Sequence, residues 1–343
     1  MSRLLPCLCA ALLLSVWSLH AADEKGFTFK DTEGQYLDVL LDGKIAVRYM
    51  YGHDVSTPEK RIETFKPYLH VFDAEGKGPI TKGPGGLFPH HRAIFIGWNQ
   101  VGYNGKKYDL WHMKETDIIH QKFSEQKGET DKATFTSLVN WVIEKDKTLL
   151  EEERTFVIHR DPAPARITID MVSKIKAALG DVDLNGDPEH AGCHYRPANE
   201  LDTKVTTYLY PVENADAHKD LDYPWVGMQY TLAGKTYSVA EINPPSNPKG
   251  TKWSAYRDYG RFGAFPKQAI KSGESFTFKY RFIVADTEML AADFIQKSAD
   301  EFAGATTPTP LPKTTAKLSE QPKPKAAGAA DPKAKAGDEA KSK

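Results

Sequence analysis

The feature that most constrains the fold is a strict alternation of apolar and polar side chains. It is clearest in "ESFTFKYRFIVA", which contains five alternating apolar side chains: Phe276, Phe278, Tyr280, Phe282 and Val284. Because successive side chains of an extended chain point to opposite faces, this segment predicts a strand with one buried face. The segments "ATFTSLVNWVIEK" and "TLLEEERTFVIH" repeat the alternation. The sequence therefore predicts a chain built mainly of antiparallel strands.

Turn-forming pairs separate the predicted strands at Asp42-Gly43, Asn104-Gly105, Ala233-Gly234 and Ser272-Gly273. One long segment, "DTEMLAADFIQKSADEFAG", has apolar residues at helical spacing, with Asp286 placed to cap its start and Gly304 placed to end it. Many antiparallel strands with one terminal helix predict an all-β fold. We expect an antiparallel β-supersandwich of two large sheets, with one C-terminal helix and a disordered tail.

Composition divides the chain into three segments. Residues 1–22 have a basic start, an apolar run and small residues at the end, which is the layout of a secretory signal peptide. Residues 23–303 have globular composition and predict one β-sandwich domain. Residues 304–343 are dominated by Pro, Ala, Lys and Thr without an aromatic residue, which predicts a disordered tail. We therefore expect an exported protein, periplasmic or extracellular, in which Cys193 is the single cysteine after cleavage and packs in the core.

Charge and hydropathy exclude some classes of partner. Lysine and arginine total 45 residues against 46 aspartates and glutamates, so the net charge of −1 gives no support for nucleic-acid binding. After the predicted signal peptide, the sequence contains no apolar segment long enough to span a membrane. The partner that the polar and aromatic motifs below favour is a small or polymeric carbohydrate.

The most unusual motif is "GGLFPHHRAIFIGWN", in which His90, His91 and Arg92 stand between a glycine-rich loop and a predicted strand. Alternation along that strand predicts that Phe95 and Gly97 face one way and Trp98 the other. The two adjacent imidazoles then diverge, which disfavours a shared metal ion. If a metal binds, one of the two is expected to join His112 or His194. No metal-ligand set and no cofactor are assigned from the sequence. An imidazole titrating near neutrality also suits a general acid.

Three further segments carry candidate binding side chains. "YDLWH" presents an aromatic ring beside a carboxylate and an imidazole, which suits stacking on a sugar face. "HAGCHYR" places an imidazole and a guanidinium on one face of a short strand, and "INPPSNPKGTKWSAYRDYG" predicts a long shaped loop suited to polyol recognition. The residues predicted to bind substrate are Arg92, Trp111, His112, Arg196, Asn247, Trp253, Arg257 and Tyr259.

The motifs "FPHHRAIFIGWN", "YDLWH", "HAGCHYR" and "NPPSNPKGTKWSAYRDYGRFGAFP" resemble, in this order, those of a bacterial secreted family of unknown function. That family is commonly labelled methane oxygenase PmoA. The chain also resembles, more distantly, the galactose-mutarotase-like supersandwich proteins, in which a catalytic glutamate precedes a proline-containing loop. This second resemblance implies that Glu241 is a general base. It also implies that one of His90, His91 and His194 is the acid.

Three hypotheses about function follow. The first is an exported carbohydrate-active or carbohydrate-binding protein that performs acid–base chemistry on a sugar through His90, His91, His194 and Glu241. The second is a non-catalytic module that binds polysaccharides or surfaces. The third is a metal-dependent oxidoreductase, which requires at least three histidine or carboxylate ligands to converge.

Overall fold

The computed structural model describes residues 25–321, of which strands make up the largest part, and the fold is all-β as expected. The strands are β1 (Phe27–Thr32), β2 (Tyr36–Leu41), β3 (Lys44–Met50), β4 (Tyr68–Val71), β5 (Ile94–Trp98), β6 (Gln100–Tyr103), β7 (Lys106–Tyr108), β8 (Thr116–Gly128), β9 (Lys132–Ile143), β10 (Lys147–Arg160), β11 (Ile167–Ala177), β12 (Val182–Asn185), β13 (Ala191–Tyr195), β14 (Thr207–Tyr210), β15 (Trp225–Leu232), β16 (Lys235–Ile242), β17 (Lys252–Ser254), β18 (Gly263–Phe265), β19 (Gln268–Ile270), β20 (Ser275–Ala285) and β21 (Thr315–Leu318). Two helices, α1 (Pro58–Thr64) and α2 (Ala292–Ala303), complete the described elements.

Two large antiparallel sheets form the body of the molecule, as the alternation predicts. One has six strands in the order β1-β2-β3-β4-β5-β13, and the other has nine in the order β21-β14-β15-β16-β20-β11-β10-β9-β8. Two smaller sheets have the strand orders β19-β12-β6-β7 and β17-β18. The strand β18 contacts β13, the last strand of the six-stranded sheet, and β6 follows β5 directly in the chain. The apolar faces of the two large sheets share one core, because residues from both belong to the same buried cluster.

The strand β5 shows how the predicted alternation sets the two faces of the six-stranded sheet. Trp98 points into the core, with its ring centroid 5.9 Å from Trp141 and 5.2 Å from Phe278. Phe95 points the other way, 4.8 Å from Trp111. The face that carries Phe95 is therefore turned away from the sandwich core, and it supports the candidate site described below.

The predicted turns lie where glycine and its neighbours take left-handed conformations. Asp42-Gly43, Asn104-Gly105 and Ala233-Gly234 all have positive φ and join β2 to β3, β6 to β7 and β15 to β16. Two consecutive positive φ values are the geometry that tight hairpins require. These three local predictions are confirmed.

The C-terminal helix begins later than the sequence predicts. Its N-cap is Ala291, and Asp286 instead forms an ion pair with Arg166 at 2.8 Å. Gly304 ends the helix with φ +69°, as expected. The helix packs on the outer face of the nine-stranded sheet, where Trp225 Nε1 donates to Gln296 Oε1 at 2.9 Å. The short helix α1 was not predicted, since it has no buried residue and so no apolar period.

The segment predicted to be disordered is partly ordered. Residues 304–321 are described, and β21 pairs antiparallel with β14 at the edge of the nine-stranded sheet. Backbone hydrogen bonds to an open strand edge order this segment without apolar side chains, and composition alone does not reveal such an edge. The rest of that tail and the predicted signal peptide lie outside the described residues. Within residues 25–321, no helix is long and apolar enough to cross a membrane.

Candidate metal centre

Three histidines converge at the outer face of the six-stranded sheet. His90, His112 and His190 each offer a ligand atom, and these atoms all lie within 4.8 Å of one another. The ring centroids are 4.3 Å apart for His90 and His112 and 4.8 Å apart for His112 and His190. All three side chains are half-buried, so the group lies near the surface and is neither in the core nor fully exposed. Three imidazoles in this arrangement have the composition of a transition-metal site.

His112 lies in a tight turn that rests on the sheet. The Asp109 carboxylate accepts the backbone N–H of His112 at 2.8 Å and contacts its ring Nδ1 at 2.9 Å. The turn can approach the sheet because residue 97 is glycine. A Cβ atom on Gly97 would lie only 2.5 Å from the carbonyl oxygen of Leu110. Asp109 therefore fixes both the backbone and the ring of His112.

His190 is fixed in the same way immediately before β13. The Asp187 carboxylate contacts His190 Nδ1 at 2.7 Å and accepts the backbone N–H of Glu189 at 2.9 Å. Asn99 at the end of β5 holds the carboxylate, because its Nδ2 donates to Asp187 Oδ2 at 2.7 Å. Both histidines thus follow an aspartate by three residues, in "DLWH" and in "DPEH".

These Asp–His pairs are the arrangement that orients metal-binding imidazoles. A ligating histidine commonly donates its second ring N–H to a carboxylate, which fixes the tautomer and raises the basicity of the other nitrogen. In His112 and His190 the Nδ1 atom is engaged in this way, so Nε2 is the nitrogen available for an ion. His90 contributes a buried Nε2 that has no hydrogen-bond partner among the described residues.

The loop that carries His90 is held by Arg92. Its guanidinium is completely buried and donates to the carbonyl oxygens of Pro89, His91 and Ile62, the last two at 2.9 and 2.6 Å. Arg92 was predicted to bind substrate, but its guanidinium is occupied by hydrogen bonds to backbone carbonyl oxygens of its own loop and of α1. Its role is to hold the turn that presents the two histidines.

His90 and His91 diverge as expected, although they do so into adjoining groups. The His90 ring lies with His112 and His190, whereas the His91 ring faces His194, with centroids 5.8 Å apart. His194 Nε2 contacts the Arg92 carbonyl oxygen at 2.8 Å. The result is one continuous group of five imidazoles. Three of them form the candidate metal centre, and two are buried beside it.

Burial lowers the pKa values of His90, His91, His190 and His194. It lowers the pKa of His90 to about 2, with further lowering from His112 and Lys66. It also holds the pKa values of His91 and His194 well below their usual value, and the positive charge of Arg261 lowers both further. For His190, burial lowers the pKa and the Asp187 carboxylate partly opposes that effect. Neutral imidazoles are the form that binds metal ions.

The loop between β17 and β18 supports His190 from outside. The Glu189 carboxylate accepts from Tyr256 Oη at 2.8 Å and from the guanidinium of Arg257. Arg261 donates to the Glu189 carbonyl oxygen at 2.5 Å and to Ser254 Oγ at 2.8 Å. Arg257 was predicted to bind substrate, and its bond to Glu189 instead makes it a positioning residue for the His190 turn.

Several other predicted binding residues are committed to the fold. Trp111 is fully buried and Trp253 is 2% exposed, so neither ring can serve as a platform for a sugar. The side chain of Asn247 bonds Asn243 Oδ1 and the backbone of Lys279, which pins the proline-rich loop to β20. Arg196 donates to the carbonyl oxygens of Pro197 and Tyr259 and to Asn199 Oδ1. Sequence polarity did not distinguish these internal contacts from exposed ones.

Tyr259 is the predicted aromatic residue that does lie beside the histidines. It is half-buried, with its ring 6.0 Å from that of His91 and 4.8 Å from that of Phe88. Phe88 is 37% exposed. These two rings form an aromatic wall next to the imidazole group.

Glu241, the predicted general base, lies in the sandwich core. It is fully buried, its Oε1 accepts from Ala264 N at 3.2 Å, and its Oε2 has no partner among the described residues. Burial raises the pKa of Glu241 well above its usual value. Burial also raises the pKa of the Cys193 thiol. Along β13, Cys193 lies on the core side while His194 faces the imidazole group. Along β16, Glu241 shares a face with Val239, which belongs to the core cluster. Glu241 is thus separated from the candidate metal centre.

His190, Asp109 and Asp187 are not among the site residues predicted from the sequence. The signal that was available is the repeat of an aspartate three residues before a histidine. Each pair closes a tight turn, and an aspartate accepting backbone N–H groups two or three residues later is a common turn former. The motif by itself is a turn signal. Only the meeting of the two turns makes it a candidate site.

Comparisons with solved structures give only weak similarity. A β-arabinopyranosidase aligns with a TM-score of 0.36 at 9% identity, covering 71% of this chain and 39% of that one. An Escherichia coli protein assigned as an aldose 1-epimerase aligns with a TM-score of 0.31 at 10% identity, covering 76% and 100% of the two chains. A galactose mutarotase related enzyme from Lactobacillus acidophilus gives 0.29 at 10% identity, covering 77% and 100%.

Scores this low establish no shared activity. The chain also spans well under half of the β-arabinopyranosidase. No curated protein matches this sequence. The model of one family, described as a family of unknown function (DUF6807), matches residues 36–300. That range is most of the chain, and the protein therefore belongs to this family.

Proposed function

We propose that this protein is an exported metal-dependent enzyme that acts on a carbohydrate. His90, His112 and His190 hold one divalent transition-metal ion, for which zinc is the first candidate. The single observation that carries the proposal is the convergence of the three imidazoles within 4.8 Å, with a carboxylate on Nδ1 of two of them. In a tetrahedral zinc site the ligand nitrogens stand about 3.3–3.5 Å apart, so a small contraction of the group would complete the site.

Three protein ligands leave one position open for a water molecule or a substrate oxygen, as in catalytic zinc sites. When bound there, the ion polarises a hydroxyl or carbonyl oxygen, or lowers the pKa of its water to about 7. Both effects suit hydrolysis, elimination or epimerisation of a sugar, which are reactions that begin with proton transfer. The half-buried positions of the three ligands, which still reach solvent, support a catalytic role over a structural one.

The carbohydrate part of the proposal rests on the aromatic wall of Phe88 and Tyr259. An exposed ring beside a polar, ion-binding group offers an apolar face for stacking next to groups that bind hydroxyls. Phe88 and Tyr259 therefore replace the buried Trp111 as the proposed surface for sugar stacking. Copper or iron bound to the same three histidines would support oxidation instead, and this second candidate is favoured by the same three-imidazole set.

The test is metal analysis of the protein purified without chelator and without an affinity tag that binds metal. We expect about one transition-metal ion per chain, with its identity deciding between hydrolytic and redox chemistry. His112→Ala and His190→Ala should each lose the ion. Asp109→Asn should weaken metal affinity by about 10–100-fold, because it removes the group that orients His112.

His159→Ala is the matched control. His159 is also a partly exposed histidine paired with a carboxylate, at 3.0 Å from Asp170, but it lies on β10 in the nine-stranded sheet. It should bind the ion as the unmodified protein does. A protein that binds no zinc, copper, iron, manganese or cobalt above the level of His112→Ala would refute the proposal.

A further inference from the structure

Five cationic side chains around the imidazoles are almost completely buried. Their exposed fractions are at most 2%, and they are Lys66, Lys82, Arg92, Arg196 and Arg261. Within residues 25–321, the first four form no ion pair with a carboxylate, and their hydrogen bonds run to backbone carbonyls and one asparagine amide. Arg261 reaches Glu189 Oε2 only at 4.0 Å, and that carboxylate already accepts from Arg257.

The same protein compensates a buried cation fully elsewhere. In the core, Arg154 is 1% exposed and forms a two-pronged ion pair with Glu152, with contacts of 2.9 and 2.7 Å. Burying a charge without a counter-charge is costly in free energy. For the same reason, removing one partner of a buried ion pair strongly destabilises the folded protein. Burial lowers the pKa of Lys66 well below its usual value. The carboxylates of this region, Asp109, Asp187 and Glu189, already contact His112, His190 and Arg257. Arg92 and Arg196 are therefore the clearest buried cations without an ion pair among the described residues. An anion bound there would offset the cost of burying them.

Unpartnered polar atoms around His91 mark the candidate anion site. His91 is only 2% exposed, yet neither of its ring nitrogens has a hydrogen-bond partner among the described residues. The same holds for Nε of Arg196 and of Arg261. Both arginines lie beside residues that surround His91. The guanidinium carbon of Arg196 is 4.9 Å from the Tyr259 ring centroid, which is 6.0 Å from that of His91. Arg261 donates to the Glu189 carbonyl oxygen in the turn that carries His190. Imidazole and guanidinium N–H groups are donors that match the oxygens of an acidic group.

Phe88 separates this group from solvent. Its ring centroid lies 5.1 Å from that of His91, and its backbone has φ +53°, which is uncommon for a bulky residue. The preceding Gly85 and Gly86 also have positive φ. Binding of a ligand at His91 requires Phe88 to move aside, and the two glycines give its loop the conformational freedom to do so.

We infer that the substrate is an acidic carbohydrate whose carboxylate or sulfate group binds at His91 between Arg196 and Arg261. The ring of His91 lies 4.4 Å from that of His90, so the acidic group and the proposed ion are adjacent. A sugar bearing the acidic group can then present a neighbouring oxygen to the ion. This inference rests on the proposed function for the ion and the sugar, and on the buried cations for the acidic group.

The test is binding of D-glucuronate, D-glucose 6-sulfate and D-glucose to the full chain, by calorimetry and by thermal unfolding. It is done once with the metal-free protein and once with the zinc-loaded protein. We expect at least one acidic sugar to bind about tenfold or more tightly than glucose in both forms, and added salt to weaken that preference. The tighter of the two identifies the acidic group as carboxylate or sulfate.

His91→Phe is the decisive variant. It keeps a flat ring against Phe88 and breaks no hydrogen bond, so it should fold, and it should abolish the preference for the acidic sugars. Arg261→Lys, which keeps the positive charge and removes Nε, should reduce the preference, while His159→Phe should leave it unchanged. Equal binding of glucose and both acidic sugars, or an unchanged preference in a folded His91→Phe, would overturn the inference.

The two proposals can fail separately. If the metal-free protein prefers an acidic sugar through His91 but binds no metal ion, the anion site stands and the metal-dependent function falls. If the protein binds one ion through His112 and His190 but shows no preference for an acidic sugar, the function stands and the inference about its substrate falls.

Discussion

The buried carboxyl of Glu241 makes the stability of this protein depend on pH. The substitution Glu241→Gln should remove that contribution to the pH dependence. Burial raises the pKa of this side chain well above its ordinary value of 4.5. The folded protein therefore keeps Glu241 protonated at pH values where the unfolded chain has released the proton. For an acid whose pKa is raised on folding, stability is fully present below pH 4.5. It is lost progressively as the pH rises towards the folded-state pKa.

The magnitude follows from proton linkage. While the folded state holds one proton that the unfolded state has lost, the free energy of unfolding falls by about 1.4 kcal/mol for each pH unit. Glu241→Gln has the same shape and keeps the acceptor of the Ala264 N–H, but it does not titrate. As the pH rises above 4.5, we expect the wild-type free energy of unfolding to fall relative to that of Glu241→Gln, by up to about 1.4 kcal/mol for each pH unit.

Urea unfolding followed by tryptophan fluorescence over a series of pH values from 4.5 upwards measures this difference. Taking the difference between the two proteins cancels the contribution of every other titrating group that both share. A parallel change of stability in the two proteins, with no divergence above pH 4.5, would refute the reasoning that Glu241 is a neutral core acid. Because Glu241 lies apart from the three histidines, the Gln variant should also retain its metal ion.

Three further predictions concern the fold. Gly263→Ala should destabilise the protein by about 1–3 kcal/mol, because a Cβ atom would lie 2.1 Å from the Cys193 carbonyl oxygen. Chemical denaturation measures this. A loss no larger than that of Gly78→Ala, where φ is not positive and the nearest atom to the added Cβ is 4.0 Å away, would contradict it. Arg154→Met should cost about 3–5 kcal/mol, since it leaves the buried Glu152 without its partner at 2.7 Å; an unchanged unfolding midpoint would count against a compensated core pair. Burial, with repulsion from Arg48 and Arg92, lowers the pKa of His70 to about 3, so the contribution of neutral His70 to stability is present above pH 6.5 and is lost as the pH falls. His70→Asn should therefore reduce the pH dependence of the free energy of unfolding by about 1.4 kcal/mol per pH unit between pH 5.5 and 4.5. An identical pH dependence in the two proteins would disprove this.

Much of the site could be approached from the sequence, because its parts are local. The turn at His90, the hairpin that leads to His112 and the strand that contains His194 all follow from glycine, proline and alternating side chains. The divergence of His90 and His91 also follows from the geometry of an extended chain. What the sequence did not reveal is that His190 completes a set with His90 and His112. These residues lie on three loops, and strand pairing between β5 and β13 brings the loops together.

The side chains predicted to bind substrate show the same contrast between local sequence patterns and contacts that only the fold creates. Trp111, Arg92 and Asn247 have the chemistry of a binding site, but a polar or aromatic residue in a loop can equally hold that loop in place. Whether a guanidinium meets a ligand or a backbone carbonyl depends on how neighbouring loops pack. That information is absent from the local pattern. Glu241 is the clearest case, since its proline-rich neighbourhood resembles an active-site loop while its side chain lies in the core.

The sequence by itself therefore determined the all-β class, the antiparallel sheets, the tight turns and the helix end at Gly304, because each depends on side-chain period or on backbone conformations of a few residues. Only the tertiary structure decided which imidazoles meet, which cations are buried without a counter-charge, and that β21 pairs with the edge of the large sheet. Those properties arise from contacts between segments far apart in the chain, where packing and long-range pairing outweigh local preference.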